Sequence, residues 1–403
     1  MTSGVDSLQR VGSPAVEDAE QFHAEDVSTV AFGHGVHDTY TSFLPPLLPE
    51  LITKFSLTTA QAGMLSVFLQ SPSLLQPFIG YLADSVNLRY LVIVAPAVTA
   101  TAMSLLGVAP SYAVLAMLLI VAGVSAAGLH SVGPVMVGRR SGQTLGKGMG
   151  FWMVGGEIGY TIGPIIIVTA VALCGLEGTS WLMLGGWLAS AALYVRLKDL
   201  RGAPLQAAGS RPWRQALRAM SPVLIPVAGI ITARAFMVSA MSTYLPIFLR
   251  QGGTNLWIAG ASLSIVEAAG IAGALVGSTS SDRLGRRKII AASMLVTPPL
   301  MFLFLGVSGW IRVPLLLMLG FSANPIMPVV MALVQETFPE NRALANGIFM
   351  GMTFVIQAAA IIILGVLADL LGLQMAFAIS AMMPLLGVPL ILLLPRDNRR
   401  GTN

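Results

Sequence analysis

Seven ionisable side chains fall inside long apolar runs of this chain: His34, His37, Asp38, His130, Glu157, Arg234 and Glu267. A group of this kind is costly at membrane depth unless it is paired or acts on something, so each needs a reason. His34 and Asp38 stand four residues apart, which puts them one turn apart on one face of a helix. Burial disfavours the charged form of both a carboxylate and an imidazole, and such a pair can exchange a proton. It reads either as a proton-coupling pair on a central cavity or as a hydrogen-bond network tying its helix to a neighbour. His37 is expected on another face, with a structural role.

Arg234 lies near the middle of the seventh apolar run, and an unpaired guanidinium at that depth is excluded on energetic grounds. It could hold an anionic substrate, such as a carboxylate or phosphonate, or it could neutralise Asp38 or Glu267. Glu157 sits among glycines, where it could accept a proton or simply hydrogen-bond a packed neighbour. His130 taken alone is ambiguous, and Glu267 ranks below the rest.

The elements that must position these groups follow from composition. The 403 residues are 55% hydrophobic and 10% charged, far below the quarter that a water-facing domain carries. The apolar residues run continuously: 91–109, 288–309 and 372–394 each supply about twenty residues, enough for a helix to cross a bilayer. Twelve such spans can be read between residues 27 and 395. Lipid forces backbone groups to pair within each span, so the spans are helices. The single cysteine, Cys174, excludes an internal disulfide or thiolate cluster. No metal or cofactor is expected. The net charge of +5 lies in short connections between spans, which fits topology and argues against nucleic acid as a partner. Residues 1–26 form an acidic tail with no signal-peptide pattern.

Of 23 Lys and Arg residues, nineteen fall on one side of the spans, three (Lys54, Arg250, Arg312) on the other, and Arg234 within one. This bias predicts cytoplasmic termini in a plasma (inner) membrane. The polar stretch 199–220 divides the chain into six-helix sets, 27–198 and 221–395, followed by a short tail at 396–403. The halves repeat: Phe43-Leu44-Pro45 matches Tyr244-Leu245-Pro246, Gly63 matches Gly260, and Asp84 matches Asp282. Aligned in this way, Arg234 falls beside His34, and the two are expected to face each other across a cavity. Parallel six-helix repeats point to a secondary transporter.

The run Asp282-Arg283-Leu284-Gly285-Arg286-Arg287-Lys288 closely resembles the cytoplasmic loop signature of the major facilitator superfamily. The first-half copy, Gly80-Tyr81-Leu82-Ala83-Asp84, keeps the front of that motif and then departs, retaining Arg89. Within the superfamily the chain is similar to fosmidomycin-resistance-type exporters. The likeness rests on His34-x-x-x-Asp38, residues 74–81, His130, Gly155-Gly156-Glu157-Ile158-Gly159 and the run 364–369 ending at Asp369. It departs where Ser131-Val132 replaces Pro-Glu and where Glu157 replaces Asn.

The resemblance implies an all-α membrane protein of two pseudo-symmetric six-helix bundles, working as a monomer on a small molecule and protons. It places His130 on a cavity-lining helix. It also makes Gly80, Asp84, Arg89, Asp282, Arg283, Gly285, Arg286 and Arg287 a cytoplasmic gate whose Arg cluster can reach the opposite half. The expected function is proton-coupled export of a drug-like molecule, with organic-anion uptake anchored on Arg234 as the rival. An enzyme or non-transporting receptor is a distant third, since no phosphate-binding loop, zinc pair or nucleophile elbow is present.

Overall fold

The computed structural model describes residues 21–79, 88–142, 144–199, 213–338 and 342–395. Among these, nine helices are long and apolar enough to cross a membrane. One of them, Lys147–Leu197, folds back on itself at Gly175, whose φ of +71° is open to glycine at no cost. Two further rods, near 24–55 and 59–79, complete the arrangement. They carry the heaviest polar load, and a hydropathy window alone passes over them.

In chain order the first half holds α1 (Ala24–Thr41, continued by Leu44–Phe55), α2 (Thr59–Gln70), α3 (Arg89–Ser104) and α4 (Tyr112–Arg140). It closes with α5 (Leu145–Gly178) and α6 (Met183–Leu197). The second half holds α7 (Trp213–Ser239, continued to Gln251), α8 (Leu256–Leu284) and α9 (Arg286–Gly306). It ends with α10 (Arg312–Ala323, continued by Ile326–Thr337), α11 (Arg342–Leu371) and α12 (Leu373–Gly387). Helix α7 thus begins inside the stretch expected as linker. Gly80 and Asp84 of the first gate copy lie outside the described residues.

The repeat is visible in the backbone. Helix α1 is interrupted at Ser42–Phe43, just before Pro45, and α7 carries a π turn over Ala240–Tyr244, just before Pro246. Each proline removes a helix hydrogen bond at the same depth of its half. The halves meet through α5 against α8 and α2 against α11, a pair of contacts that the repeat interchanges. The repeat-related glycines mark them. A Cβ on Gly63 of α2 would land on the Tyr244 hydroxyl, and one on Gly260 of α8 would strike Val168 of α5.

The hydrophobic core is not evenly shared. One large cluster joins both halves, running from Phe43, Leu47 and Leu65 to Tyr244, Leu263 and Phe377. It lies toward the far end, where the connections near 56, 110, 253 and 372 turn. Toward the end bearing the termini the core splits into two clusters, each within a single half. Among the described residues, the core bridges the two halves at the far end and is divided between them at the terminal end.

A charged latch adds to this closure. The first amides of α2, on Thr59 and Ala60, donate to Asp369 Oδ1 and Oδ2 at the far end of α11, at 2.6 and 2.9 Å. A helix N-terminus leaves these amides without partners and carries a partial positive charge, so a carboxylate suits it. The third amide, Gln61, is capped by Thr58 within α2. Glu50 of α1 faces Arg250 of α7 at 3.8 Å across the same end. Asp369→Ala is expected to weaken far-end closure by about 1 kcal/mol, roughly a fivefold shift in population. Spin-label distances between α2 and α11 would report it. An unchanged distance distribution would show that Asp369 does not hold the halves together.

Candidate functional site

Helices α1 and α5 make the closest approach in the first half, and glycine permits it. A Cβ on Gly159 of α5 would overlap the Gly35 carbonyl of α1. One on Gly156 would fall 2.5 Å from His34 Cε1 and 2.8 Å from both His34 Nε2 and Asp38 Oδ2. The bare backbone of α5 therefore forms one wall of a pocket whose other walls are α1 and α4. Within it, His34 Nε2 stands 2.9 Å from Asp38 Oδ2 and 3.2 Å from His130 Nε2. His130 Nε2 is 3.7 Å from Asp38 Oδ1.

The partners of the outer ring nitrogens assign the tautomers. His34 Nδ1 lies 2.9 Å from the Trp152 carbonyl, and His130 Nδ1 lies 2.9 Å from the Ala126 carbonyl. A carbonyl only accepts, so both Nδ1 atoms carry the hydrogen. In the neutral rings both Nε2 atoms are then lone pairs, pointed at each other and at a carboxylate. Three acceptors converge with no donor among them. The indole of Trp152 stacks on His34 with centroids 3.7 Å apart and planes 11° from parallel, which fixes the ring.

His37 corrects the sequence reading. Expected on another face, it lies fully buried with Nδ1 2.9 Å from Asp38 Oδ1. Adjacent residues meet here because the carboxylate forks: one oxygen serves the residue a turn back, the other its immediate neighbour. His37 Nε2 has no partner among the described residues. Asp38 and His34 are almost fully buried, whereas the His130 side chain keeps 31% exposure. His130 is the most exposed member of the cluster.

The remaining sequence candidates extend from this cluster toward the second half. Glu157 lies within electrostatic reach of Asp38 and His34. Glu267 on α8 lies within reach of Glu157 and Arg234. Arg234 is buried, donates weakly from Nε to the Ala323 carbonyl at 3.5 Å, and is offset by Glu267. Its charge partner is therefore in its own half, and the expected face-to-face placement with His34 does not stand out. Two residues escaped sequence reasoning, Trp152 and Tyr160. Tyr160 sits within electrostatic reach of Asp38, Glu157 and Glu267. Its only signal is its place one turn after Glu157. A small cleft of about 40 Å³ opens beside Glu267, lined also by Met237, Met241, Leu319, Ala323 and Asn324.

Comparison with known proteins decides the family. The model described as Major Facilitator Superfamily matches residues 30–323 and 280–403. The chain belongs to the major facilitator superfamily. Its members and neighbours are transporters, not enzymes, and it is a multi-pass membrane protein of this fold. It is 26% identical to the fosmidomycin resistance protein of Escherichia coli K12 over 384 residues, 93% of each chain. Among solved structures it resembles a bacterial homologue of the human lysosomal transporter Spinster, inward-facing and occupied, with a TM-score of 0.77. That likeness has 12% identity and covers 93% of this chain and 97% of the other. A D-xylose–proton symporter superposes with a TM-score of 0.75 at 15% identity, covering 93% and 99%.

The superfamily loop after α8 is tied to its own half by several contacts. Arg286 pairs with Asp282 one turn back at 2.7 Å and with Glu336 at the end of α10 at 2.6 Å, and also bonds Ser281. Arg287 donates to the Leu392 carbonyl at 3.1 Å. All these partners belong to the second half, which follows from the split core at this end. Gly285, with φ +103°, makes the sharp turn between α8 and α9. Arg283 is exposed, and Arg89 stacks beside Tyr90 at 5.1 Å.

The glycine wall yields a paired test. Gly156→Ala should cost about 1–3 kcal/mol through overpacking against His34 and Asp38. Gly150→Ala on the same helix, with nothing within 4 Å of the added Cβ, should be neutral or slightly stabilising. Thermal unfolding of the purified proteins checks both. Equal behaviour would show that the cluster is not pressed against α5.

Proposed function

We propose that this protein is a proton-coupled antiporter that exports a small organic molecule by alternating access. The supporting observation is the surplus of acceptors at His34, His130 and Asp38. Two lone pairs and a carboxylate within 3.7 Å, almost wholly buried, repel unless a cation sits among them. A proton is the smallest such cation, and the exposed edge of His130 gives it a path. The small cleft beside Glu267 lies between the second-half helices, and its methionines suit an apolar, variable cargo. The relative named for fosmidomycin resistance favours export of a drug-like compound.

The Lys and Arg distribution supports cytoplasmic termini in the plasma membrane. With that orientation the far end faces outward, and the closed far end with a split terminal end corresponds to an inward-facing state. Protonation of the Asp38 cluster and substrate binding then alternate as the two halves rock about α5–α8 and α2–α11. A single copy holds both parts. The rival reading, uptake of an organic anion anchored on Arg234, is weakened because Glu267 already offsets that charge.

Asp38→Asn removes the carboxylate while keeping its shape. In proteoliposomes with an imposed pH gradient, driven transport should fall to the passive leak while substrate exchange without a gradient persists. Undiminished driven transport would reject Asp38 as the coupling group, and accumulation inside cells would reject export. Orientation has its own test. In a Cys174→Ser background, Thr254→Cys should react with a membrane-impermeant maleimide in intact cells and Lys198→Cys should not. The reverse pattern would invert the topology.

A further inference from the structure

The three converging acceptors have a second physical solution besides a proton. The ligand atoms His34 Nε2, His130 Nε2 and an Asp38 oxygen all lie within 4.8 Å of one another. A tetrahedral ion held at bonds of about 2.0–2.1 Å separates its ligands by about 3.3 Å. His34 Nε2 lies 2.9 Å from Asp38 Oδ2 and 3.2 Å from His130 Nε2, close to that edge, while His130 Nε2 reaches the other carboxylate oxygen, Oδ1, at 3.7 Å. We propose that His34, Asp38 and His130 form a binding site for a first-row transition dication of the zinc class.

The outer shell is already built for this purpose. A metal-bound imidazole needs its second nitrogen to donate elsewhere, so that the lone pair is held on the ion. Both rings meet that demand, through the carbonyls of Trp152 and Ala126. A ligating carboxylate needs its own partner, and His37 supplies it at Oδ1. The indole face of Trp152 locks the His34 ring in its orientation. Each of these contacts would be present in a zinc centre, and none requires movement of a helix.

The donor set selects the ion. Two imidazole nitrogens and one carboxylate suit borderline dications such as Zn²⁺ or Co²⁺. Mg²⁺ and Ca²⁺ ask for six or more oxygens, and Cu⁺ asks for thiolate or thioether ligands; Cys174, the only cysteine, lies at the far end of α5. Three protein ligands leave the fourth tetrahedral position open, as in zinc sites that bind water or substrate. His130, the half-open ligand, supplies the way in. The inference rests on the transport reading in one respect: an ion on these three atoms excludes the coupling proton, so bound zinc arrests transport.

Cobalt tests the site, because its visible absorption reports coordination directly. Full-length protein, purified in detergent with any histidine tag removed, is titrated with Co²⁺. One equivalent should bind with the intense visible bands of a four-coordinate site, be displaced by Zn²⁺, and be indifferent to Mg²⁺. His34→Ala and His130→Ala should each lower affinity by at least about tenfold, while His23→Ala, outside the cluster, should not. His130→Gln, which keeps bulk and polarity, guards against a folding defect: it should retain the thermal unfolding midpoint yet lose the cobalt bands. No saturable bands, or bands that survive in His34→Ala and His130→Ala, would overturn the site. Proton-driven transport that persists while cobalt fails to bind would overturn the metal site alone and leave the transport reading standing.

Discussion

Three lone-pair-bearing atoms meet in the interior of the first half, and the structure around them keeps every hydrogen on the wrong side. Two carbonyls draw the imidazole hydrogens outward, and a carboxylate completes the set. An unsatisfied buried acceptor costs about 1–3 kcal/mol, and a buried uncompensated charge costs more. The cluster is therefore a demand for a cation. Everything local serves that demand: glycines on α5 that let α1 come close, the Trp152 ring that holds His34, and the His37 bond that steadies the carboxylate. Remove the glycine wall and the acceptors no longer share a point in space.

Position gives the demand its consequence. The cluster belongs to α1 and α4 of one half, but its charge does not end there. Glu157 and Tyr160 on α5 and Glu267 on α8 lie within electrostatic reach of one another, and Arg234 offsets Glu267. Helices α5 and α8 are one of the two seams along which the halves meet. In a low dielectric, charges several ångströms apart still interact by kilocalories. In the proposed cycle, filling or emptying the cluster changes the field along that seam. The other seam, α2 against α11, carries the Asp369 latch. The two seams are interchanged by the repeat, and both lie between the halves that rock in the proposed cycle.

Much of this was legible in the residues. The long apolar runs required a membrane, and the matched Pro45 and Pro246 marked the repeat, whose two helix interruptions emerge only in the backbone. The spacing of His34 and Asp38 predicted that they share one helix face, and the two side chains meet at 2.9 Å. What was not legible has physical causes. His37 joined the cluster because a carboxylate has two oxygens, a fork that helical periodicity does not encode. Trp152 and Tyr160 look like ordinary apolar filling in a membrane helix, and only the approach of α1 gives them partners. The reach of Arg286 depends on whether the two halves touch at that end, which is a property of the conformational state. One sequence serves both states, so no residue pattern could choose between them.

The division of labour between the halves follows from where polar groups can be tolerated. The first half gathers its buried polar residues into a compact cluster of His34, Asp38 and His130. The second half places Glu267, Asn324 and two methionines around an open cleft. A cation site gains from exclusion of water, since each interaction strengthens as the dielectric falls. A cargo site gains from room and adaptable side chains. Placing them in separate halves lets each be tuned without disturbing the other. Communication between them then has to cross the α5–α8 seam, where Glu157 and Glu267 repel when both are charged and Arg234 relieves only one of them. In the proposed cycle, that imbalance couples the ionic state of the Asp38 cluster to a cleft that it does not touch.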